Sequence, residues 1–289
     1  MRSGPEQSRR SAPVASGDNI GAILKNSPLN GLETRILLTH ALELSRVELI
    51  TRSERMLTAD EAQRLSVLFQ RRIDGEPIAY IVGEREFYGL SFHVTPDVLI
   101  PRPETELLVE LAIERLPQNG RILDLGTGSG AIAVAIAHAR PNATVMAVDI
   151  SEPALSIARH NATRHGAQVI FLHSDWYSTL AGRQFDIIVA NPPYIVAGDT
   201  HLSQGDLRFE PAGALTDYAD GLSALRKIII DAPRHLAPGG WLLMEHGYDQ
   251  SPAVRGLLAA QGFCNTQSWR DLAGIERATG GTRQSKLAR

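Results

Sequence analysis

The sequence predicts an α/β protein: a mainly parallel, Rossmann-like sheet, preceded by a small helical bundle and a β-hairpin linker. Three observations predict it. From about residue 121 to residue 261, short apolar runs alternate with stretches of helical periodicity. A glycine-rich turn, Gly126-Thr127-Gly128-Ser129-Gly130-Ala131, joins the first of those runs to the next helix. The first 73 residues, by contrast, carry helical spacing alone. Regular β-α-β alternation implies right-handed crossovers and a sheet covered on both faces.

Residues 1–16 are rich in Ser, Pro and Arg and are expected to be a disordered polar extension. Residues 17–75 are expected to form a helical domain of four or five helices. Its apolar positions are Ile20, Ile23 and Leu24, then Ile36, Leu37, His40, Ala41 and Leu44, then Leu65, Leu68 and Phe69. Thr58 opens the last helix with Glu61 three residues on, the pattern of a capping box. Residues 76–103 are expected to be a β-hairpin linker, because Phe87-Tyr88-Gly89-Leu90-Ser91-Phe92-His93-Val94 reads as two short strands around a glycine turn. His93 there fits a half-buried structural position better than a ligand. A proline-stiffened passage, 99–106, then leads into a helix over 105–116.

The main domain is expected to span 104–280. Its strands fall at 121–125, 144–150, 169–173, 185–190 and 240–245. Its helices fall at 129–139, 153–165, 222–236 and 252–261. Residues 265–277 supply one or two further strands, including an antiparallel edge. A polar tail, 281–289, closes the chain.

Composition narrows the classes of function. The chain has 289 residues, is 43% hydrophobic and 21% charged, and carries a net charge of −3, an ordinary globular balance. The charge argues against a surface built to coat nucleic acid. A single cysteine, Cys264, excludes an internal disulfide. No apolar run reaches the length of a membrane span, and the N-terminus lacks the apolar core of a secretory signal. A cytoplasmic location, no membrane partner and a monomeric state are therefore expected.

Two motifs carry chemistry. Glycines in the 126–131 turn let the chain bend sharply and let a ligand approach the backbone at a helix N-terminus. Asp149 ends the second strand, where a carboxylate can accept from both hydroxyls of a ribose. Ser174-Asp175-Trp176 ends the third strand and sets a carboxylate and an indole where an adenine would lie. An NAD site fits this turn equally well, since Gly126, Gly128 and Ala131 also match the dinucleotide spacing. Asn191-Pro192-Pro193-Tyr194 closes the apolar run 185–190. Its two prolines remove backbone donors and fix φ, leaving carbonyls held rigidly beside a flat ring. Such a set of acceptors suits a planar NH2 group.

Together these residues resemble the S-adenosylmethionine-dependent class I methyltransferases that modify planar amide or exocyclic nitrogens. The tetrad is shared with adenine-N6 and guanine-N2 nucleic acid enzymes, so it specifies the nitrogen and not the substrate. A narrower resemblance is to the HemK-type release factor glutamine methyltransferases. It rests on Phe87-Tyr88-Gly89-Leu90, the Ile-Pro-Arg-Pro-Glu-Thr-Glu string ending at Glu106, and Arg208-Phe209-Glu210-Pro211. Asp220-Gly221-Leu222 and Glu245-His246-Gly247 complete it. The resemblance covers roughly 19–280, strongly from Phe87 onward.

It implies S-adenosyl-L-methionine as cofactor and methylation of the glutamine N5 in the Gly-Gly-Gln motif of class I release factors, with the helical domain recognising that protein substrate. It implies cofactor-binding roles for Gly126, Thr127, Gly128, Ser129, Gly130, Asp149, Trp176 and Asn191. Asn191, Pro192 and Tyr194 would be catalytic. Asn191, Pro192, Pro193, Tyr194 and Phe87 would meet the substrate amide, with Phe87 as a cover near the methyl group. No metal and no direct nucleic acid binding are expected.

Three other readings compete. An NAD-dependent oxidoreductase would leave the tetrad idle, a catalytically silent docking module would leave the site without turnover, and an N6-adenine or N2-guanine methyltransferase would need a basic groove.

Overall fold

A computed structural model describes residues 14–284. The chain divides into two compact units, residues 1–82 and 83–289.

Among the described residues, the first unit contains five helices: α1 (Ile20–Asn26), α2 (Gly31–Leu42), α3 (Arg46–Thr51), α4 (Ala59–Ile73) and α5 (Ile78–Val82). Four of them start on a side-chain cap. Asn19 and Asn30 accept from first-turn amides, and Ser45/Glu48 and Thr58/Glu61 form full capping boxes. The Thr58 amide donates to Glu61 at 2.9 Å, and the Glu61 amide donates to Thr58 Oγ1 at 3.3 Å. Each box satisfies two backbone donors that a helix start otherwise leaves unpaired. Ile20, Leu37, Leu38, Leu49, Leu65 and Phe69 fill the core. His40, placed on the apolar face by periodicity, is exposed. Leu37, Leu38 and Leu42 take the buried side of α2 instead.

Some boundaries move. Residues 78–82, expected within the hairpin linker, form α5 and pack into the helical core. Residues 1–13 of the expected polar extension lie outside the described residues. Val14 is buried, and its carbonyl accepts from the Ser66 hydroxyl at 2.8 Å.

The second unit opens with a hairpin, β1 (Glu84–Phe87) and β2 (Leu90–His93), followed by α6 (Glu106–Arg115). His93 is structural: its Nδ1 bonds the Gly83 carbonyl at 2.9 Å, and its backbone bonds the buried Asn161 side chain. The main sheet then alternates β3 (Arg121–Leu125), α7 (Ala131–Ala139), β4 (Thr144–Asp149), α8 (Glu152–Arg164), β5 (Val169–His173) and β6 (Phe185–Ala190). It continues through α9 (Ala212–Leu215), α10 (Ser223–His235), β7 (Leu236–Glu245), α11 (Ser251–Ala260), β8 (Phe263–Arg270) and β9 (Glu276–Arg283). Strand order is β5-β4-β3-β6-β7-β9-β8. The first five strands are parallel; β9 runs antiparallel to β7 and to β8. The strand β9 extends to Arg283, three residues into the expected tail, and 285–289 lie outside the described residues.

Side chains alternate across the sheet, so each strand feeds two cores. Ile122, Val145, Ala147, Ile187, Val189 and Leu243 face α6 and α7. Leu123, Leu125, Val148, Ile188, Ala190, Leu242 and Met244 face α10 and α11. Burial on both faces explains why these strands read as continuous apolar runs rather than alternating ones.

The strand order reverses direction at β3, with β4 on one side and β6 on the other. Such a switch point opens a crevice at the carboxyl ends of the strands. Register aligns the residues at and just beyond each strand end: Leu125 pairs with Val148 and with Ala190, and Ala190 pairs with Met244. Asp149, Gly126, Asn191 and Glu245 therefore stand in consecutive positions along one edge.

Candidate active site

The glycine turn is the first wall of the site. Gly126, Gly128 and Gly130 have φ of 71°, 54° and 81°, a region costly for residues with a Cβ. A Cβ on Gly130 would lie 3.0 Å from that of Ala158, so this glycine lets α7 and α8 close together. A Cβ on Gly128 would meet nothing within 4 Å. The backbone there faces open space, a cradle suited to a ligand. Left-handed Gly130 also delays the helix start to Ala131, two residues after the expected one. The carboxylate of Asp149 accepts from the Gly128 amide at 2.9 Å through Oδ2 and from the Ser151 amide at 2.9 Å through Oδ1. It ties the glycine turn to β4 and keeps lone pairs for a ligand. The Trp176 indole lies over Gly126, 3.5 Å from where its Cβ would be. Asp175, beside it, is exposed and paired with Lys227 at 2.9 Å, so it forms no part of this wall.

Asp124 carries no signal in the sequence that would single it out, yet it is the most unusual group in the cradle. It is buried under the turn. Thr127 Oγ1 donates to its Oδ2 at 2.6 Å, the Ala133 amide also favours its ionised form, and among the described residues its Oδ1 makes no hydrogen bond of good geometry. Burial pushes its carboxyl up to about 7, with the neighbouring Asp149 charge adding and the Thr127 hydroxyl opposing. An under-bonded buried carboxylate oxygen beside a glycine cradle fits a ligand that carries positive charge.

The tetrad is the second wall. Asn191 Nδ2 donates to Thr105 Oγ1 at 3.1 Å, while its Oδ1 has no donor among the described residues. Among those residues no backbone amide donates to the Pro192 carbonyl either, so two acceptors stand free at the strand end. The Tyr194 hydroxyl donates to Glu245 Oε1 at 3.1 Å. Gln250 Nε2 donates to the Tyr194 carbonyl at 3.0 Å and to the Gly221 carbonyl at 3.1 Å. At Gly221, with φ of 75°, a Cβ would lie 2.5 Å from the Tyr194 oxygen. Only glycine permits that approach, which accounts for Gly221 in the Asp220-Gly221-Leu222 string.

The proline-stiffened passage positions Thr105. Buried Glu210 accepts from the Ile100 amide at 3.0 Å and pairs with Arg102. The loop after the tetrad thereby pins the segment preceding α6. Burial raises the Glu210 carboxyl, and the Arg102 charge opposes that rise.

Phe87 is placed differently from its expected role. Its ring is fully buried, packed edge-to-face on Phe92 with centroids 6.0 Å apart, inside the core beneath α6 and α7. It offers no surface to a substrate amide. Hydrophobic burial takes into the core a ring that the motif alone would set at the mouth of the site. His246 is likewise structural, neutral by burial and bonded to Gly247 and Thr279. Among the described residues no cluster of His, Cys, Asp and Glu is arranged to hold a metal ion, and no helix is long and apolar enough to cross a membrane.

Comparison with known proteins agrees with this geometry. Residues 103–214 match the methyltransferase small domain and residues 19–83 match the PrmC N-terminal domain. The release factor glutamine methyltransferase of Neisseria gonorrhoeae is 56% identical over 255 residues, covering 88% of this chain and 93% of that protein. That of Burkholderia pseudomallei is 55% identical over 268 residues, covering 90% and 94%. A methyltransferase structure from Pyrococcus furiosus superposes with a TM-score of 0.53 at 19% identity, over 74% of this chain and 97% of that one. At that identity it speaks for the fold, while the two sequence relatives settle the family. The chain belongs to the release factor glutamine methyltransferase family.

Proposed function

We propose that this protein transfers a methyl group from S-adenosylmethionine to the side-chain amide nitrogen of the glutamine in a Gly-Gly-Gln loop of class I release factors. The single observation that carries the reading is the row at the strand ends: the Asn191 and Pro192 acceptors stand directly beside the Gly126–Gly130 cradle. When bound, S-adenosylmethionine supplies a methyl group already activated on a sulfonium. The protein's part is then positioning and charge stabilisation. An amide nitrogen is a weak nucleophile because its lone pair is delocalised into the carbonyl. Asn191 Oδ1 and the Pro192 carbonyl accept from its NH2 and hold it in line, which is where positioning contributes most. The same acceptors favour the positive charge that grows on nitrogen. Pro192 and Pro193 keep those acceptors from relaxing, and Tyr194 closes the wall against water. Asp149 accepts from the ribose, Trp176 flanks the base, and Thr127 and Ser129 brace the turn. The direct test is transfer of labelled methyl to purified release factor, with mass mapping of the modified residue. Label on any residue other than that glutamine would overturn the assignment.

Asp124 makes cofactor binding pH-dependent. Its carboxyl sits near 7 in the free protein, and a cationic ligand prefers its ionised form. Below pH 7 binding must displace a proton, so affinity falls with acidification, by up to about tenfold per pH unit. Calorimetric titration at pH 6 and pH 8 should show this difference in the wild type. Asp124→Asn should bind weakly at both and flatten the dependence; an unchanged slope in that variant would remove Asp124 from the cradle.

The helical unit is proposed to recognise the release factor away from the methylated side chain. One amide alone cannot select a single glutamine, and remote contacts raise the local concentration of a weak loop encounter. Val47 and Ile50, three residues apart on α3, are 68% and 74% exposed and give an apolar spot open to a partner. Replacing both with Asp is expected to lower kcat/KM on intact release factor by roughly tenfold or more, with cofactor affinity unchanged. Equal efficiency would place recognition elsewhere.

A further inference from the structure

We propose that Thr105 and Glu245 act as positioning residues that lock the Asn191 amide with its oxygen toward the substrate, a role resting on the proposed function of the site. The inference comes from the polarity of a buried hydrogen-bond chain. Glu245 ends β7 in register beside Asn191 and is buried. Two hydroxyls meet it: Thr105 Oγ1 at 2.6 Å on Oε2 and Tyr194 OH at 3.1 Å on Oε1. Burial raises the Glu245 carboxyl, while the Thr105 and Tyr194 hydroxyls and the Arg277 charge oppose that rise. Held as a carboxylate with one hydroxyl on each oxygen, it accepts at both.

Each hydroxyl has one proton. Thr105 spends its proton on Glu245, so toward Asn191 it can offer only a lone pair. Asn191 must therefore present its NH2 group, and the observed contact is Nδ2 to Oγ1 at 3.1 Å. The amide is planar, so fixing the NH2 inward fixes Oδ1 outward, in the orientation that accepts from a substrate NH2. Without the chain, oxygen and nitrogen could exchange places by a simple flip. The exchanged amide would present a donor to a donor.

Thr105 has helical φ and ψ inside the single 3-10 turn Pro103–Thr105 that runs into α6, and its hydroxyl makes no capping bond. It is 5% exposed, and among the described residues its hydroxyl is committed to Glu245 and Asn191. The Ile100–Arg102 segment clamped by Glu210 sets it in place.

The test is a double-mutant cycle on Thr105 and Asn191, read as kcat on release factor beside calorimetric cofactor affinity. Thr105→Val keeps the shape and removes the hydroxyl. It is expected to lower kcat roughly 10- to 100-fold, the scale of a misoriented reacting group, with cofactor affinity within about twofold of wild type. Thr105→Ser, which restores the hydroxyl, should recover most of the loss. On an Asn191→Ala background the valine substitution should cost nothing further, because Thr105 acts only through Asn191. Thr105→Ala replaces the valine variant in the same cycle if the latter does not fold. Full turnover in the hydroxyl-less variant, or an equal loss on both backgrounds, would overturn the positioning role while leaving the proposed function intact. Normal turnover in Asn191→Ala alone would instead overturn the proposed role of the tetrad, and the positioning role with it.

Discussion

Asn191→Ala is expected to cut turnover by two orders of magnitude or more, while the fold and cofactor affinity stay nearly intact. The expectation rests on where the side chain sits. Asn191 leaves β6 at the switch point, half-buried, with Nδ2 anchored on Thr105 and Oδ1 free. Removing one preorganised polar group that meets developing charge costs about 3 kcal/mol of transition-state stabilisation. The fold should tolerate the change because no core cluster relies on the Asn191 side chain, and among the described residues one side-chain hydrogen bond is lost. Single-turnover kinetics at saturating cofactor, with thermal unfolding as control, separates the two effects. Near-normal turnover would remove the tetrad from the mechanism.

Asp149→Ala should have the second-largest effect, on binding rather than on turnover at saturation. Charge-assisted hydrogen bonds to a ribose are worth roughly 1.5–3 kcal/mol. S-adenosylmethionine and its demethylated product share that ribose, so both should weaken by similar factors, roughly 10- to 100-fold. The structure adds a second reason. The same carboxylate holds the Gly128 and Ser151 amides, so its loss also frees the turn that cradles the ligand. Burial raises the Asp149 carboxyl above its ordinary value, and the Ser151, Gly128 and Ile150 amides oppose that rise. Acidification should therefore weaken both ligands further in the wild type. Calorimetry with both ligands checks this; unchanged affinity for both would sink the ribose assignment.

Much of this molecule is legible in the residue order. Strand positions 121–125 and 185–190 can be read directly because strands buried on both faces are mainly apolar and bounded by turn residues. The edge strand 169–173, with no fully buried side chain, is legible instead from its β-branched and aromatic residues. The glycine turn is legible because its conformations exclude side chains, and the tetrad because two prolines at a strand end have few other uses. The capping boxes of α3 and α4 both rest on contacts three residues apart; the Thr58 and Glu61 box is read from the pattern, and the structure adds that of Ser45 and Glu48.

What sequence cannot supply is register and burial. Thr105 and Glu245 are separated by 140 positions, and nothing local to either indicates that they are hydrogen-bonded. They meet because Ala190 pairs with Met244 across two parallel strands, and because Glu210 draws the 100–102 segment toward the tetrad loop. Asp124 and Phe87 illustrate the same limit in opposite senses. Phe87 stands in a motif string and Asp124 two residues ahead of the glycine turn, yet only packing made Asp124 a buried, under-bonded carboxylate at the cradle and Phe87 a core ring. The sequence by itself determined the order of elements and the chemistry available at each strand end. The tertiary structure alone decided which of those groups face one another, because hydrogen-bond polarity and desolvation depend on neighbours in space rather than along the chain.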